Sequence, residues 1–319
     1  MACFLGIDGG GTRTTAWLAD ERGRVLARAE AGPSNPVKIG FESAEDEILR
    51  AAQKVLRKAR LRLQPSVSRL KRTHKPAPLA AVCLGIAGSD RPSVRRRLLA
   101  WLRKSIPARC YLLTTDAAIA LRAALGDAPG VIVISGTGSI AYAQDECGCT
   151  LRAGGWGPAF DDAGSGYDVG RKAISASLRA FDGRGPATRL AVQVPTALHL
   201  RSITGVVLKT LAPSQMAALS PLVLDSARRG DLVARHLCEE AGRDLAELAV
   251  AVIRRLGWEN RSVPVVCAGG IFRASLAILR SFAHNLHQVV PAARVKVLRC
   301  HPVEGALALA REAAKPASR

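Results

Sequence analysis

The chain has 319 residues, of which 48% are hydrophobic but only 4% aromatic, and 46 Lys and Arg against 26 Asp and Glu leave a formal net charge of +20. That length suffices for two domains of roughly 150 residues each, and no apolar run reaches the roughly 18 residues that a membrane span needs. The first residues run directly into a strand pattern with no leader signature, so the chain is expected to be cytoplasmic and to have no membrane partner.

The charge invites a nucleic-acid reading, but its distribution argues against one. Basic residues crowd from Arg50 through Lys54, Arg57, Lys58, Arg60, Arg62, Arg69, Lys71, Arg72 and Lys75, and again at Arg95, Arg96 and Arg97. No aromatic side chains interleave with them, as base stacking would require. They read as the polar face of a helix over 42–62 followed by a Pro-containing linker to about Ala77, so no specific nucleic-acid partner is expected. Cys3, Cys83, Cys110 and Cys267 sit inside apolar runs and read as small buried hydrophobes; Cys147 and Cys149 flank Gly148 in a turn, with no second pair to complete a metal site.

In chain order, Phe4–Asp8 reads as a strand, Gly9-Gly10-Gly11-Thr12 as a tight turn, Ala16-Trp17-Leu18 as a second strand and Val25-Leu26-Ala27 as a third. Only glycine turns a backbone so sharply while its N–H groups face one small volume, and a hydroxyl follows to add a donor. After the amphipathic helix and basic linker come a buried strand at Leu79–Ile86, a helix from about Pro92 to Lys104 and a strand at Cys110–Thr114. Asp116 stands just beyond that strand, at the mouth of an Ala-rich helix that it could cap.

The device then recurs. Val131–Ile134 leads into Ser135-Gly136-Thr137-Gly138-Ser139, a second strand Ile140–Ala143 and a turn at Gly148. The Gly154-Gly155-Trp156-Gly157 segment follows, then helices to about Gly257, a buried strand Val263–Ala268 ending in Gly269-Gly270, and a helix beginning near Phe272. A strand at Arg294–Leu298 and a helix from about Val303 to Ala313 close the pattern. The helices between 170 and 257 are expected to form a cap or a dimer surface. Neither glycine turn is GxxxxGK[ST], and neither opens directly into a helix, which argues against a P-loop NTPase and a dinucleotide-binding fold alike.

The duplicated strand–turn–strand units resemble the actin-like ATPase and sugar kinase superfamily. That resemblance implies an α/β chain of two RNase H-like domains with a central ATP cleft. The boundaries expected are 1–115, joined by the C-terminal helix 303–315, and 116–302 with its helical insert. Five segments narrow the resemblance: Ile7–Thr12, Leu113–Ala118, Ile134–Ser139, Gly154–Gly157 and Asp162–Tyr167. In this order they resemble N-acetylglucosamine kinases and the wider BadF/BadG/BcrA/BcrD-type ATPases, and they imply ATP-dependent phosphorylation of an amino sugar at its 6-hydroxyl.

The resemblance carries roles onto individual residues. Gly10, Gly11, Thr12 and Thr14 on one side, and Gly136, Thr137, Gly138 and Ser139 on the other, are expected to bind the phosphates of ATP. Asp8 is suited to hold Mg²⁺ through water, and Gly269 and Gly270 match the adenosine motif. Asp116 is the expected general base and a substrate contact. Asn35, in Pro33-Ser34-Asn35-Pro36, matches a sugar-contacting position, as do Gly154, Gly155, Trp156 and Asp162; a plain turn Asn and an exposed loop carboxylate are the alternatives for Asn35 and Asp162. A homodimer is also implied.

Two departures fall on the sugar side. Ala163 stands where the kinases usually have Glu, and Asp168 follows Tyr167 where an aromatic is common, so the identity of the sugar stays open among hexosamine derivatives. Two further readings compete. An activator ATPase of a radical acyl-CoA dehydratase would need cluster cysteines and a different second phosphate loop, and a non-catalytic sugar sensor would have no use for Asp116.

Overall fold

The computed structural model describes residues 2–59 and 79–315. The basic linker and the last residues of the helix read over 42–62 lie outside the described residues. Two compact units result, one running to Asp127 and resuming at Arg299, the other covering Ala128–Leu298.

The first unit consists of β1 (Cys3–Gly9), β2 (Thr14–Asp20), β3 (Val25–Ala31), α1 (Pro36–Ile39), α2 (Phe41–Lys58), β4 (Leu79–Ile86), α3 (Pro92–Ser105), β5 (Ala108–Thr114) and α4 (Asp116–Leu125). Its sheet is ordered β3-β2-β1-β4-β5, with β1 antiparallel to β2 and parallel to β4. Alternation along β1 explains why both faces are covered: Leu5 and Ile7 join the core under α2 and α3, while Phe4 joins a smaller core under α4 and the chain's last helix.

The second unit contains β6 (Gly130–Ser135), β7 (Ser139–Gln144), β8 (Thr150–Gly154), α5 (Gly166–Phe181), α6 (Leu190–Ala197), α7 (Pro213–Ala217), α8 (Ser220–Arg228), α9 (Leu232–Arg255), β9 (Pro264–Ala268), α10 (Gly270–Ala274), α11 (Leu276–Val289) and β10 (Arg294–Val297). The sheet order β10-β9-β6-β7-β8 is the order of the first sheet read from the other edge, with the same pattern of parallel and antiparallel pairs. The repeat seen in the sequence is therefore a repeat of topology. Helix α12 (Pro302–Ala313) returns to the first unit. There a Cβ at Gly6 would lie 2.9 Å from the backbone nitrogen of Leu307, and one at Gly305 would lie 1.9 Å from the carbonyl oxygen of Ile119. Bare glycines thus let α12 settle directly on β1 and α4.

Candidate functional site

In the first unit, three parallel strands end side by side. Asp8 pairs in register with Gly85 on β4, and Gly85 with Thr114 on β5. At about 4.8 Å per strand, Asp8 and Thr114 are about 10 Å apart, and Asp116 lies two residues farther along the chain. Ligands gather at such carboxyl ends because the loops leave the sheet there.

The turn after β1 closes with the Gly10 N–H donating to the Arg13 carbonyl at 3.0 Å, and the Ser34 N–H donates to the Gly10 carbonyl at 3.0 Å. Thr14 is fully buried, and its hydroxyl donates to the Gly32 carbonyl at 2.7 Å, beside the Ser34 hydroxyl at the same distance. The Thr14 side chain thus braces the loop from within, whereas Gly10, Gly11 and Thr12 face outward.

Asp116 opens α4, yet it is not the cap. Thr115 is: its hydroxyl accepts from the Ala118 N–H at 3.1 Å. The Asp116 carboxylate accepts from the adjacent Ala117 N–H at 3.0 Å. The capping duty thus falls on Thr115 and not on the Asp116 carboxylate. Burial pushes the Asp116 carboxyl up to about 6, with the Asp90 charge adding to the rise and backbone N–H groups and Lys38 opposing it. Burial, reinforced by Asp116, pushes Asp8 up to about 7 against Arg13. Two crowded carboxylates of this kind suit a hard divalent cation, whose charge would offset their repulsion; the oxygen donor set fits Mg²⁺.

Asn35 is 8% exposed and caps α1, its Oδ1 accepting from the Val37 N–H at 3.0 Å. This is the Asx-turn arrangement of an Asn before Pro. Lys38, on the same short helix, is a group that sequence reasoning missed. Its Nζ would lie 3.7 Å from a Cβ at Gly11, and its charge reaches Asp116. In a chain with 46 basic residues no single lysine stands out.

In the second unit, the Gly136 N–H donates to the Gly138 carbonyl at 2.9 Å, closing the turn between β6 and β7. Nothing lies within 4 Å of a Cβ at Gly136 or at Gly270, so both present bare backbone to open space. Gly269 differs: its φ is +98° and a Cβ would meet the Ser135 carbonyl oxygen at 2.0 Å, so it lets β9 turn beside β6. Gly136 and Gly270 thus leave their backbone open to close approach by a ligand.

Gly154, Gly155 and Gly157 all have positive φ, and between them Trp156 is 59% exposed with the Arg152 guanidinium 4.1 Å above its ring. Asp162 is not an exposed loop carboxylate. It is 4% exposed, accepts from the Ser139 N–H at 3.1 Å and sits against Gly138. The structure thus brings Asp162 to the second glycine turn.

The sequence pattern of the BadF/BadG/BcrA/BcrD ATPase family matches residues 5–310. The chain belongs to that family. An N-acetylmuramic acid/N-acetylglucosamine kinase of Clostridium acetobutylicum is 31% identical over 98% of this chain and 99% of its own length. An N-acetyl-D-glucosamine kinase of Dictyostelium discoideum is 30% identical over 96% and 97%. A solved structure from Chromobacterium violaceum, whose N-acetylglucosamine kinase assignment is provisional, is 29% identical over 97% of this chain and 99% of its own, with a TM-score of 0.77. The two-sheet topology is that of the actin-like sugar kinases.

Proposed function

We propose that this protein is an ATP-dependent hexosamine kinase that phosphorylates the 6-hydroxyl of N-acetylglucosamine or a related amino sugar. Full-length likeness to curated hexosamine kinases supports the class. The observation that carries the chemistry is the Asp116 carboxylate, which stands beyond β5 free of capping duty, with its carboxyl raised to about 6.

In this reading Asp116 orients the acceptor hydroxyl and takes its proton as the hydroxyl oxygen bonds to the γ-phosphorus. The bond from that phosphorus to the bridging oxygen breaks and ADP leaves. The glycine turns Gly10, Gly11 and Thr12, and Gly136, Thr137, Gly138 and Ser139, are assigned to the phosphates of ATP. Gly270 offers bare backbone to the adenosine, and Gly269 sets the turn that presents it. Asp8 would hold Mg²⁺ through water, and the ion when bound would supply charge neutralisation at the phosphates. Asn35, Gly154, Gly155, Trp156 and Asp162 are assigned to the sugar side, where Asp162 also ties the sugar segment to the second glycine turn.

A homodimer and a cytoplasmic location complete the proposal. Phe181, Val192, Val207 and Leu208 on the helical insert are each at least 60% exposed, an apolar surface that self-association would cover. ATP consumption against a panel of N-acetylglucosamine, glucosamine, N-acetylmuramic acid and glucose tests the assignment. Turnover confined to one or more amino sugars is expected, and turnover with glucose alone would refute it.

A further inference from the structure

The second glycine turn is held by the segment after it as well as by its own strands. Ser135 and Ser139 donate their hydroxyls to the carbonyls of Gly164 at 2.9 Å and Ala163 at 2.7 Å. The Gly166 N–H in turn donates to the Gly136 carbonyl at 2.8 Å. The position of residues 163–166 therefore fixes the position of the turn.

What fixes that segment is an ionic cluster. Asp168, 5% exposed in the first turn of α5, accepts from the Gly164 N–H at 3.1 Å. Lys172 lies 2.9 Å from Asp168 Oδ2 and 2.9 Å from Asp244 on α9, and Arg171 donates to the other Asp168 oxygen at 2.8 Å. A charge-assisted cluster with both carboxylate oxygens engaged leaves Asp168 little freedom to swing. The chain of contacts runs from α9 through Lys172 and Asp168 to Gly164, and from there to Ser135 at the end of β6.

We propose that Asp168, clamped by Lys172 and Arg171, is a positioning residue for the second glycine turn and sets how tightly the protein holds the nucleotide phosphates. The inference rests on the reading of that turn as a phosphate loop. Asp168 touches neither substrate; it acts through Gly164. A pair that merely stiffened α5 would affect both ligands alike. A pair that places the turn affects the nucleotide selectively.

The test is titration of the full-length protein with a non-hydrolysable ATP analogue plus Mg²⁺, and separately with the amino sugar that it phosphorylates. Asp168→Ala is expected to weaken the analogue at least tenfold and to leave the sugar within twofold. Asp168→Asn, which keeps an oxygen for the Gly164 N–H, is expected to recover most of that loss. Lys172→Met should weaken the analogue in the same direction, and adding it to Asp168→Ala should cost nothing more. Should Asp168→Ala not fold, Lys172→Met carries the test. Analogue affinity within twofold of wild type in the folded variants, or an equal loss of both ligands, would overturn the proposal. Thr137→Ala separates the two levels of the argument. If it weakens the analogue while the Asp168 variants do not, only the positioning role fails; if it too is silent, the phosphate-loop reading fails with it.

Discussion

The charge on Asp116 helps burial push the Asp8 carboxyl up to about 7, so these two acids of the first unit are costly to ionise together. An unfolded aspartate titrates near 3.9. A raised carboxyl contributes stability that is fully present below its unfolded value and is lost as the pH rises through the folded one. Between about pH 4 and 7 the ligand-free protein therefore loses what Asp8 contributes, and above 7 it carries the cost of the charge. Asp8→Asn should stabilise the protein, free of Mg²⁺ and nucleotide, by roughly 1 kcal/mol at pH 8 and by less at pH 5. Thermal unfolding at the two pH values measures this. The same variant should lose Mg²⁺-dependent turnover, and a variant that is neither stabilised nor impaired would remove Asp8 from the site.

Gly269 and Gly270 are adjacent in sequence yet should respond in opposite ways to the same substitution. Gly269→Ala drives a methyl into the Ser135 carbonyl and forces an alanine to a φ of +98°, so it should destabilise the fold by several kcal/mol, on the order of about 3. Gly270→Ala meets nothing within 4 Å. It should unfold at the wild-type temperature while the KM for ATP rises about tenfold, the scale of about 1.4 kcal/mol. A wild-type KM in Gly270→Ala would show that the nucleoside does not lie there.

Asn35 can be separated into its two duties. Asn35→Asp keeps an oxygen to cap the Val37 N–H but gives up the amide donors. Asn35→Ala gives up both. Each should raise the sugar KM about ten- to a hundredfold and leave the KM for ATP unchanged, as expected for one or two lost hydrogen bonds of about 1–3 kcal/mol. Only the Ala variant should also lose about 1 kcal/mol of stability through the cap. A rise confined to the KM for ATP would place this loop on the nucleotide side.

Among the described residues the Lys38 ammonium makes no hydrogen bond or salt bridge, and its charge opposes the rise of Asp116. Lys38→Met should therefore leave the unfolding temperature unchanged and move the acid limb of the kcat/KM profile to higher pH. Turnover should fall about tenfold if the ammonium also meets the phosphates. An unmoved acid limb would show that Lys38 does not act on Asp116.

Much of this was legible in the sequence where the signal is continuous apolarity or glycine. The run Leu79–Ile86 gives β4 to the residue, because a strand buried on both faces needs no alternation to be seen. Strand β5 begins at Ala108, earlier than Cys110, because Ala108 pairs with Leu79 of β4, a contact that the pattern Ala108-Arg109 does not announce. The helix expected near Phe272 begins at Gly270 and restarts at Leu276, since Ser275 caps a new helix through the Ile278 N–H. Capping at Thr115 rather than Asp116 was equally invisible, both residue types being good caps at neighbouring positions. Lys38 and Lys172, the charged groups that escaped, are two among 46 basic residues. Only tertiary placement distinguishes them from solvated ones.

The most direct test is Asp116→Asn, assayed for amino-sugar phosphorylation at saturating ATP. Thr115, not Asp116, caps α4, and Asn keeps the shape of Asp, so the variant should fold and bind nucleotide as the wild type does. Loss of a general base typically costs about 10²–10⁴-fold, so kcat should fall by at least a hundredfold with the affinity for ATP nearly intact. A folded Asp116→Asn protein that retained most of its turnover would contradict the assignment of Asp116 as the base and the mechanism built on it.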